Sequence, residues 1–288
     1  MLRSIVISDG SDLAGRISRR LGARHVRYAV REFPDGESKI TLRGKIQGRV
    51  IVVKSVHPPV DTSLLHALSL IAKAREESAE VIAVVPYMGY ARQDREFLSG
   101  EIVTMRVLGR LFRGAGASKV IVVDIHSTAG LRLFPIRTIN VTAIPALARH
   151  VKKMRLRNLL VVSPDRGGAG RAKKFAAELG AECMALEKKR DRKTGRVQIR
   201  TKDADVSGRD IVLVDDMIST GGSIAKAAQF LKKHKCRRVY VACTHALLIG
   251  DAKKNITRAG VAGIISANTI PGGTSVDVSE AIVQAIRP

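Results

Sequence analysis

Short runs of Val and Ile, almost unbroken by polar residues, recur along this chain at 3–8, 49–55, 80–86, 119–124, 158–163, 210–214, 238–242 and 263–267. A strand with one wet face alternates apolar and polar residues, whereas a continuous apolar run suits a strand buried on both faces. Amphipathic stretches separate these runs, clearest at 61–76, 102–112, 170–179 and 223–234. Such alternation predicts an α/β chain with mainly parallel sheets, flanking helices and right-handed crossovers. Val122-Val123-Asp124-Ile125-His126-Ser127-Thr128 is echoed by Leu213-Val214-Asp215-Asp216-Met217-Ile218-Ser219-Thr220. No Pro/Gly/Ser-rich linker intervenes, so two similar α/β halves are expected, residues 1–140 and 141–288. Ligands of such sheets bind at the carboxyl ends of the strands.

The 288 residues are enough for two cores, and 50 Lys+Arg against 26 Asp+Glu leave a net charge of +24. That excess favours anionic partners. Aromatic residues make up only 3% and Trp is absent, which leaves few platforms for stacking the bases of a single strand. The basic residues are spread along the chain and no nucleic-acid module is recognisable, so no dedicated nucleic-acid partner is expected. No run approaches the ~18 apolar residues of a membrane span, and no membrane partner is expected. Cys183, Cys236 and Cys243 form no C-x-x-C pair and read as reduced core residues. The first apolar run, Ile5-Val6-Ile7, is too short for a signal peptide, and a cytoplasmic location is expected.

The strongest candidate site follows the run Ile211-Val212-Leu213-Val214. It reads Asp215-Asp216-Met217-Ile218-Ser219-Thr220-Gly221-Gly222-Ser223 and opens a helix. Gly221 and Gly222 let the backbone turn closely around a ligand and point successive N–H groups at it. The helix N-terminus adds positive potential, and Ser219, Thr220 and Ser223 add hydroxyl donors, which together make a monophosphate cradle. The two carboxylates do the opposite job: they accept hydrogen bonds from sugar hydroxyls or hold hydrated Mg²⁺. A lone Gly-Gly would be only a turn. The ordered series of strand, acid pair, hydroxyls, glycines and helix is far more specific.

Further motifs stand at strand ends or in loops. Arg31-Glu32-Phe33-Pro34-Asp35-Gly36-Glu37-Ser38 contains a Pro-Asp-Gly turn. Tyr90-Ala91-Arg92-Gln93-Asp94 follows a strand and supplies Arg92 for phosphate and Gln93 for hydrogen bonding. Asp124-Ile125-His126-Ser127 and Ser163-Pro164-Asp165-Arg166-Gly167-Gly168 end two more strands. Glu187-Lys188-Lys189-Arg190-Asp191-Arg192-Lys193, ahead of Thr194-Gly195, reads as a mobile basic hairpin rather than a solvated face.

Taken in order, these motifs resemble the ribose-phosphate pyrophosphokinases, over nearly the whole chain. The resemblance implies two type I phosphoribosyltransferase-like domains, ATP and ribose 5-phosphate as substrates, Mg²⁺, and a homo-oligomer. It implies an ATP site of Phe33, Asp35, Gly36, Glu37, Arg92, Gln93 and His126, the 33–37 loop often coming from a neighbouring subunit. It implies metal contacts from His126 and Asp165, and ribose 5-phosphate contacts from Arg190, Asp215, Asp216, Ser219, Thr220, Gly221, Gly222 and Ser223. Lys188 and Arg190 match the family's catalytic Lys-x-Arg. Asn268-Thr269-Ile270-Pro271 matches a further segment.

Some features depart from that pattern. Where some members carry acidic residues, this chain reads Phe134-Pro135-Ile136-Arg137-Thr138-Ile139-Asn140, and Ser219 stands where some have Asp. The segment 94–106 is compact, which argues against the bacterial type of ADP/phosphate regulation. A phosphoribosyltransferase would share the 215–223 loop but needs neither Phe33–Glu37 nor Arg92-Gln93. A non-catalytic regulatory homologue would have degraded motifs, and these are intact. The site absorbs few of the cations. Residues 125–164 alone contribute Arg132, Arg137, Arg149, Lys152, Lys153, Arg155 and Arg157 without one Asp or Glu.

Overall fold

The computed structural model describes residues 4–190, 197–200, 206–271 and 275–287. The chain forms two compact units, one of Met1–Thr142 with Thr269–Pro271 and Asp277–Pro288, the other of Ala143–Asn268 with Gly272–Val276.

The first unit contains β1 (Ser4–Ser8), α1 (Asp12–Leu21), β2 (Arg24–Glu32), β3 (Ser38–Leu42), β4 (Arg49–Val53), α2 (Val60–Glu77), β5 (Val81–Val85), α3 (Thr104–Gly114), β6 (Lys119–Val123), α4 (Thr128–Leu131) and β7 (Arg137–Val141). Its sheet has the order β3-β2-β1-β4-β5-β6-β7, parallel throughout except for the β2–β3 hairpin. Every residue of β5 and β6 is buried, as their unbroken apolar runs require. The core gathers Ile7, Val52, Ile71, Val85, Leu108 and Phe112.

The second unit contains α5 (Ile144–Lys153), β8 (Leu160–Ser163), α6 (Ala169–Leu179), β9 (Glu182–Ala185), β10 (Glu187–Arg190), β11 (Val197–Arg200), β12 (Asp210–Ile218), α7 (Gly222–Lys233), β13 (Arg238–Ala246), α8 (Ala252–Arg258), β14 (Val261–Ala267) and β15 (Ser275–Val276). Six strands form a parallel sheet in the order β15-β14-β13-β12-β8-β9, and β10–β11 make a separate antiparallel pair. The core of this unit is built on Val162, Leu213, Ile224, Leu231, Val241 and Ile256.

Two features of this architecture differ from expectation. The last helix, α9 (Ser279–Ile286), belongs to the first unit, although 141–288 is expected to form one half. Its apolar face explains why: Ile282, Val283 and Ile286 are buried, and α9 packs on α1, β6 and β7. Arg49 and Lys119 donate to the carbonyls of Ile286 and Ala285 at 2.8 and 3.2 Å, which satisfies the C-terminal end of α9. Second, β12 does not stop at Val214. Met217 and Ile218 go on pairing with His245 and Ala246 of β13, so Asp215 and Asp216 stand on a central strand. Among the described residues no helix is long and apolar enough to cross a membrane.

Candidate active site

β9, β8 and β12 are parallel neighbours, so the segments that follow them leave the second sheet at one edge. After β8, the Asp165 carboxylate accepts from Gly168 N–H at 3.2 Å and caps the 3-10 turn Arg166–Gly168. Ser163 Oγ donates to the Asp165 carbonyl at 2.7 Å, and a side chain at Gly168 would collide with that hydroxyl. After β9, the Leu186 N–H donates to the Ser163 carbonyl at 2.9 Å and the chain enters β10. Arg166 Nη2 lies 2.5 Å from Glu187 Oε1, which ties the base of the β10–β11 hairpin to the Asp165 loop. The backbones of Lys188 and Arg190 pair with Ile199 and Val197. Their side chains and the Thr194-Gly195 turn lie outside the described residues.

On β12, Asp216 is 3% exposed and Asp215 is half-buried. Arg171, in the first turn of α6, places Nη1 3.1 Å from Asp215 Oδ1 and Nη2 3.5 Å from Asp216 Oδ1. The Asp216 N–H donates to Asp215 Oδ1 at 2.9 Å. Burial, with the Asp216 carboxylate alongside, pushes the Asp215 carboxyl up to about 7, and Arg171 pulls it the other way.

Beyond the strand, Leu248 and Ile249 N–H groups donate to the carbonyls of Ile218 and Ser219, each at 3.0 Å. Gly221 follows with φ +74, and a Cβ there would stand 2.7 Å from Ile256 Cδ1. A side chain is excluded on both counts. Gly221 is the N-cap of α7 and brings no side chain of its own to the first turn, whose N–H groups point toward the loop. Thr220, Gly222 and Ser223 are exposed, and a Cβ at Gly222 would meet nothing within 4 Å. Backbone donors at a helix N-terminus, with space beside Gly222 and two carboxylates on the preceding strand, have the chemistry to receive a phosphate joined to a polyol.

In the first unit, Phe33, Asp35, Gly36 and Glu37 form the tip of the β2–β3 hairpin. Phe33 N–H donates to the Glu37 carbonyl at 2.8 Å, Gly36 N–H to the Phe33 carbonyl at 2.9 Å, and Glu37 N–H to Asp35 Oδ1 at 3.1 Å. The Arg31 guanidinium lies 5.2 Å above the Phe33 ring. Phe33 is half-buried, and the rest of the tip is exposed at the sheet edge. After β5, Gly89 packs so closely that a Cβ would stand 2.7 Å from Val60 Cγ1, and Tyr90 OH donates to Asp61. Arg92 and Gln93 are exposed. The Gln93 side-chain oxygen accepts from Thr104 Oγ1, and its carbonyl accepts from Met105 N–H at 3.2 Å. Asp94 accepts from Ser127 Oγ, and so joins this segment to the loop that carries His126. That loop is set by Asp124 at φ +37, whose N–H donates to the Val141 carbonyl at 2.8 Å, and by Ile125 N–H, which donates to Asn140 Oδ1 at 3.0 Å.

Residues 3–116 match the model of the N-terminal domain of ribose phosphate pyrophosphokinase, and residues 137–278 match the phosphoribosyl transferase domain. The ribose-phosphate pyrophosphokinase of Methanopyrus kandleri is 38% identical, over 98% of this chain and 98% of its own. The chain belongs to the ribose-phosphate pyrophosphokinase family. A second member, from Sulfolobus acidocaldarius, is 36% identical over 94% of this chain and 95% of its own. The phosphoribosylpyrophosphate synthetase of Mycobacterium smegmatis shares the fold with a TM-score of 0.88 at 25% identity, covering 100% of this chain and 98% of that one. As a ribose-phosphate pyrophosphokinase the chain is a transferase of nucleotide biosynthesis, built as an α/β protein on two units.

Within each unit the fold brings the pyrophosphokinase motifs together: Asp165, the β10 hairpin and the 215–223 loop in one, Arg92-Gln93 and His126 in the other. The residues that join them are not visible in the sequence. Arg171 serves both acids of the Asp pair, and Asp94 and Ser127 lock two loops. Arg171 and Asp215 are 44 residues apart and Asp94 and Ser127 33 apart, so no local spacing marks either pair.

Proposed function

We propose that this chain transfers the diphosphoryl group of ATP to ribose 5-phosphate, giving 5-phosphoribosyl 1-diphosphate and AMP. The anomeric hydroxyl of the sugar attacks the β-phosphorus, the bond from that phosphorus to the oxygen bridging to the α-phosphate breaks, and AMP carries that oxygen away. Catalysis of this kind is positioning and charge neutralisation. The observation that carries the reading is the α7 N-terminus, opened by Gly221, behind Ser219, Thr220, Gly222 and Ser223 and following Asp215 and Asp216 on β12. The loop receives the 5-phosphate, and the carboxylates accept hydrogen bonds from the ribose hydroxyls.

ATP is held by Arg92 on phosphate and by Gln93 and His126 on the nucleotide. Phe33, Asp35, Gly36 and Glu37 close on the adenine of a second copy, in a homo-oligomer. Lys188 and Arg190 meet the charge that develops on the transferring group, and Arg190 also contacts the sugar phosphate. Mg²⁺ suits this donor set. The Asp165 carboxylate stands in the loop after β8, and Mg²⁺ keeps several waters and takes few protein ligands, oxygen above all. His126 in the first unit and Asp165 in the second are the candidate Mg²⁺ contacts, and the charge of the metal would neutralise phosphate oxygens.

The test is AMP release from ATP. It is expected to depend on ribose 5-phosphate and to fall by about 10² or more in Lys188→Ala, with unchanged thermal unfolding. AMP release without the sugar phosphate, or near-normal turnover of the variant, would sink the proposal.

A further inference from the structure

The cations that the active site does not absorb look scattered in sequence, but folding gathers many of them at the opposite, amino edge of the second sheet. Two segments meet there. One is the end of α5 with the turn after it, holding Lys152, Lys153, Arg155 and Arg157. The other is the end of α7 with its turn, holding Lys232, Lys233, Lys235 and Arg237. The segment before β12 clasps them together. Asp210 N–H donates to the Arg157 carbonyl at 3.1 Å, Gly208 N–H to the Lys235 carbonyl at 3.0 Å, and Arg237 N–H to the Arg209 carbonyl at 2.8 Å.

Among the described residues, two acids at this edge are already committed. Asp210, fully buried, takes Arg237 and Arg238 at 2.8 and 3.0 Å and accepts from Arg157 N–H at 2.8 Å, while Glu182 pairs with Arg209 at 2.7 Å. Arg155, Arg157, Lys233 and Lys235 are all exposed, and among the described residues none has a carboxylate within ion-pair distance. Basic residues at a helix C-terminus offset the macrodipole. That accounts for Lys152, Lys153, Lys232 and Lys233, but not for unpaired arginine and lysine in both turns beyond.

We propose that this edge, centred on Arg155, Arg157, Lys233 and Lys235, binds the phosphodiester backbone of a nucleic-acid duplex without reading its sequence. A set of exposed, unpaired Arg and Lys is the electrostatic footprint of backbone binding. The large apolar side chains exposed among the described residues lie elsewhere, at Val30, Leu65, Phe97, Leu98, Ile102, Val107, Leu111 and Ile249, so the edge offers nothing to insert into a bilayer. Its turns carry no Phe, Tyr or Trp, and the one ring there, His234, lies against Phe230 with centroids 4.2 Å apart, which leaves few faces for a single strand whose bases must stack.

The test is fluorescence anisotropy of the full chain with a labelled mixed-sequence DNA duplex. Binding is expected to weaken about a hundredfold or more between about 50 and 200 mM salt, with log K falling by about 0.9 per decade of salt for each phosphate neutralised. The variant Arg155→Gln, Arg157→Gln, Lys233→Gln, Lys235→Gln should bind at least about tenfold more weakly at low salt, with a shallower salt slope. Its AMP-forming activity should be unchanged. A control, Lys39→Gln, Arg106→Gln, Arg110→Gln, Arg113→Gln, removes equal charge from exposed positions of the first unit and should leave binding within about threefold. Absence of duplex binding at low salt, equal loss in the two variants, or binding only to anionic vesicles or to a single strand would each overturn the proposal.

Discussion

Arg171 spans two motifs: from the start of the helix that follows the Asp165 loop, its guanidinium reaches Asp215 at 3.1 Å and Asp216 at 3.5 Å on β12. Two adjacent carboxylates removed from water need such a cation to stay ionised. Without it, Asp215, already pushed up to about 7, rises further and loses the charge that suits it to the proposed role of accepting from sugar hydroxyls. Arg171→Gln is therefore expected to raise KM for ribose 5-phosphate about tenfold at pH 7, with partial recovery toward pH 9. Arg171→Lys keeps the charge and should lose less. A KM increase with no pH dependence would show that Arg171 acts only through packing.

The same carboxylate burdens the fold. Its ionisation is unfavourable in the folded chain but not in the unfolded one, where a carboxyl titrates near ~3.9. A raised folded value means that stability is fullest below about pH 4 and is lost as pH rises to about 7, after which the loss is constant. Asp215→Asn removes that loss. Discounted for the broken Arg171 contact, it should stabilise the Mg²⁺-free, substrate-free chain by about 2 kcal/mol at pH 8 and by much less at pH 4. Its affinity for ribose 5-phosphate should fall at the same time. Denaturant midpoints at the two pH values measure the first effect; a midpoint at pH 8 no higher than that of the parent would contradict it.

Gly221 and Gly222 are neighbours with different duties. Gly221 combines φ +74 with a Cβ position 2.7 Å from Ile256, so Gly221→Ala is expected to cost about 2 kcal/mol of stability. Gly222 has a helical backbone and open space, so Gly222→Ala should fold at least as well as the parent. The added methyl stands in the space assigned to the 5-phosphate, and KM for ribose 5-phosphate should rise at least about tenfold. Thermal unfolding separates the two variants, and steady-state kinetics of Gly222→Ala tests the cradle directly.

Which of these features are legible in sequence follows from the range of the forces involved. Buried strands such as β5 and β6 declare themselves because both faces must be apolar. β2 does not: Arg24, His25, Arg27, Arg31 and Glu32 dominate it, and Val26 and Tyr28 are its buried residues. An edge hairpin needs just one apolar face, which is too weak a pattern to stand out in such basic sequence. Phosphate loops are legible because glycine, hydroxyl and acid must be contiguous to work. Arg171, the Asp94–Ser127 contact and the basic amino edge are hidden because each joins distant segments. The apolar face of α9 is plain in sequence, but it does not say which core receives it.

Asp94 and Ser127 form the corresponding lock in the first unit. Ser127 Oγ donates to Asp94 while its own oxygen accepts Gly130 N–H at 3.2 Å, so one hydroxyl fixes both the start of α4 and the segment behind Arg92 and Gln93. Neither residue is assigned a contact with substrate, so their effect must come through the placement of Arg92, Gln93 and His126. Ser127→Ala removes the bond and the cap and should raise KM for ATP about threefold to tenfold, with KM for ribose 5-phosphate unchanged. Asp94→Asn keeps an acceptor for the hydroxyl and should show a smaller effect. The double variant should be no worse than Ser127→Ala alone, because both changes remove one interaction. Additive losses in ATP KM would mean that the two side chains act independently.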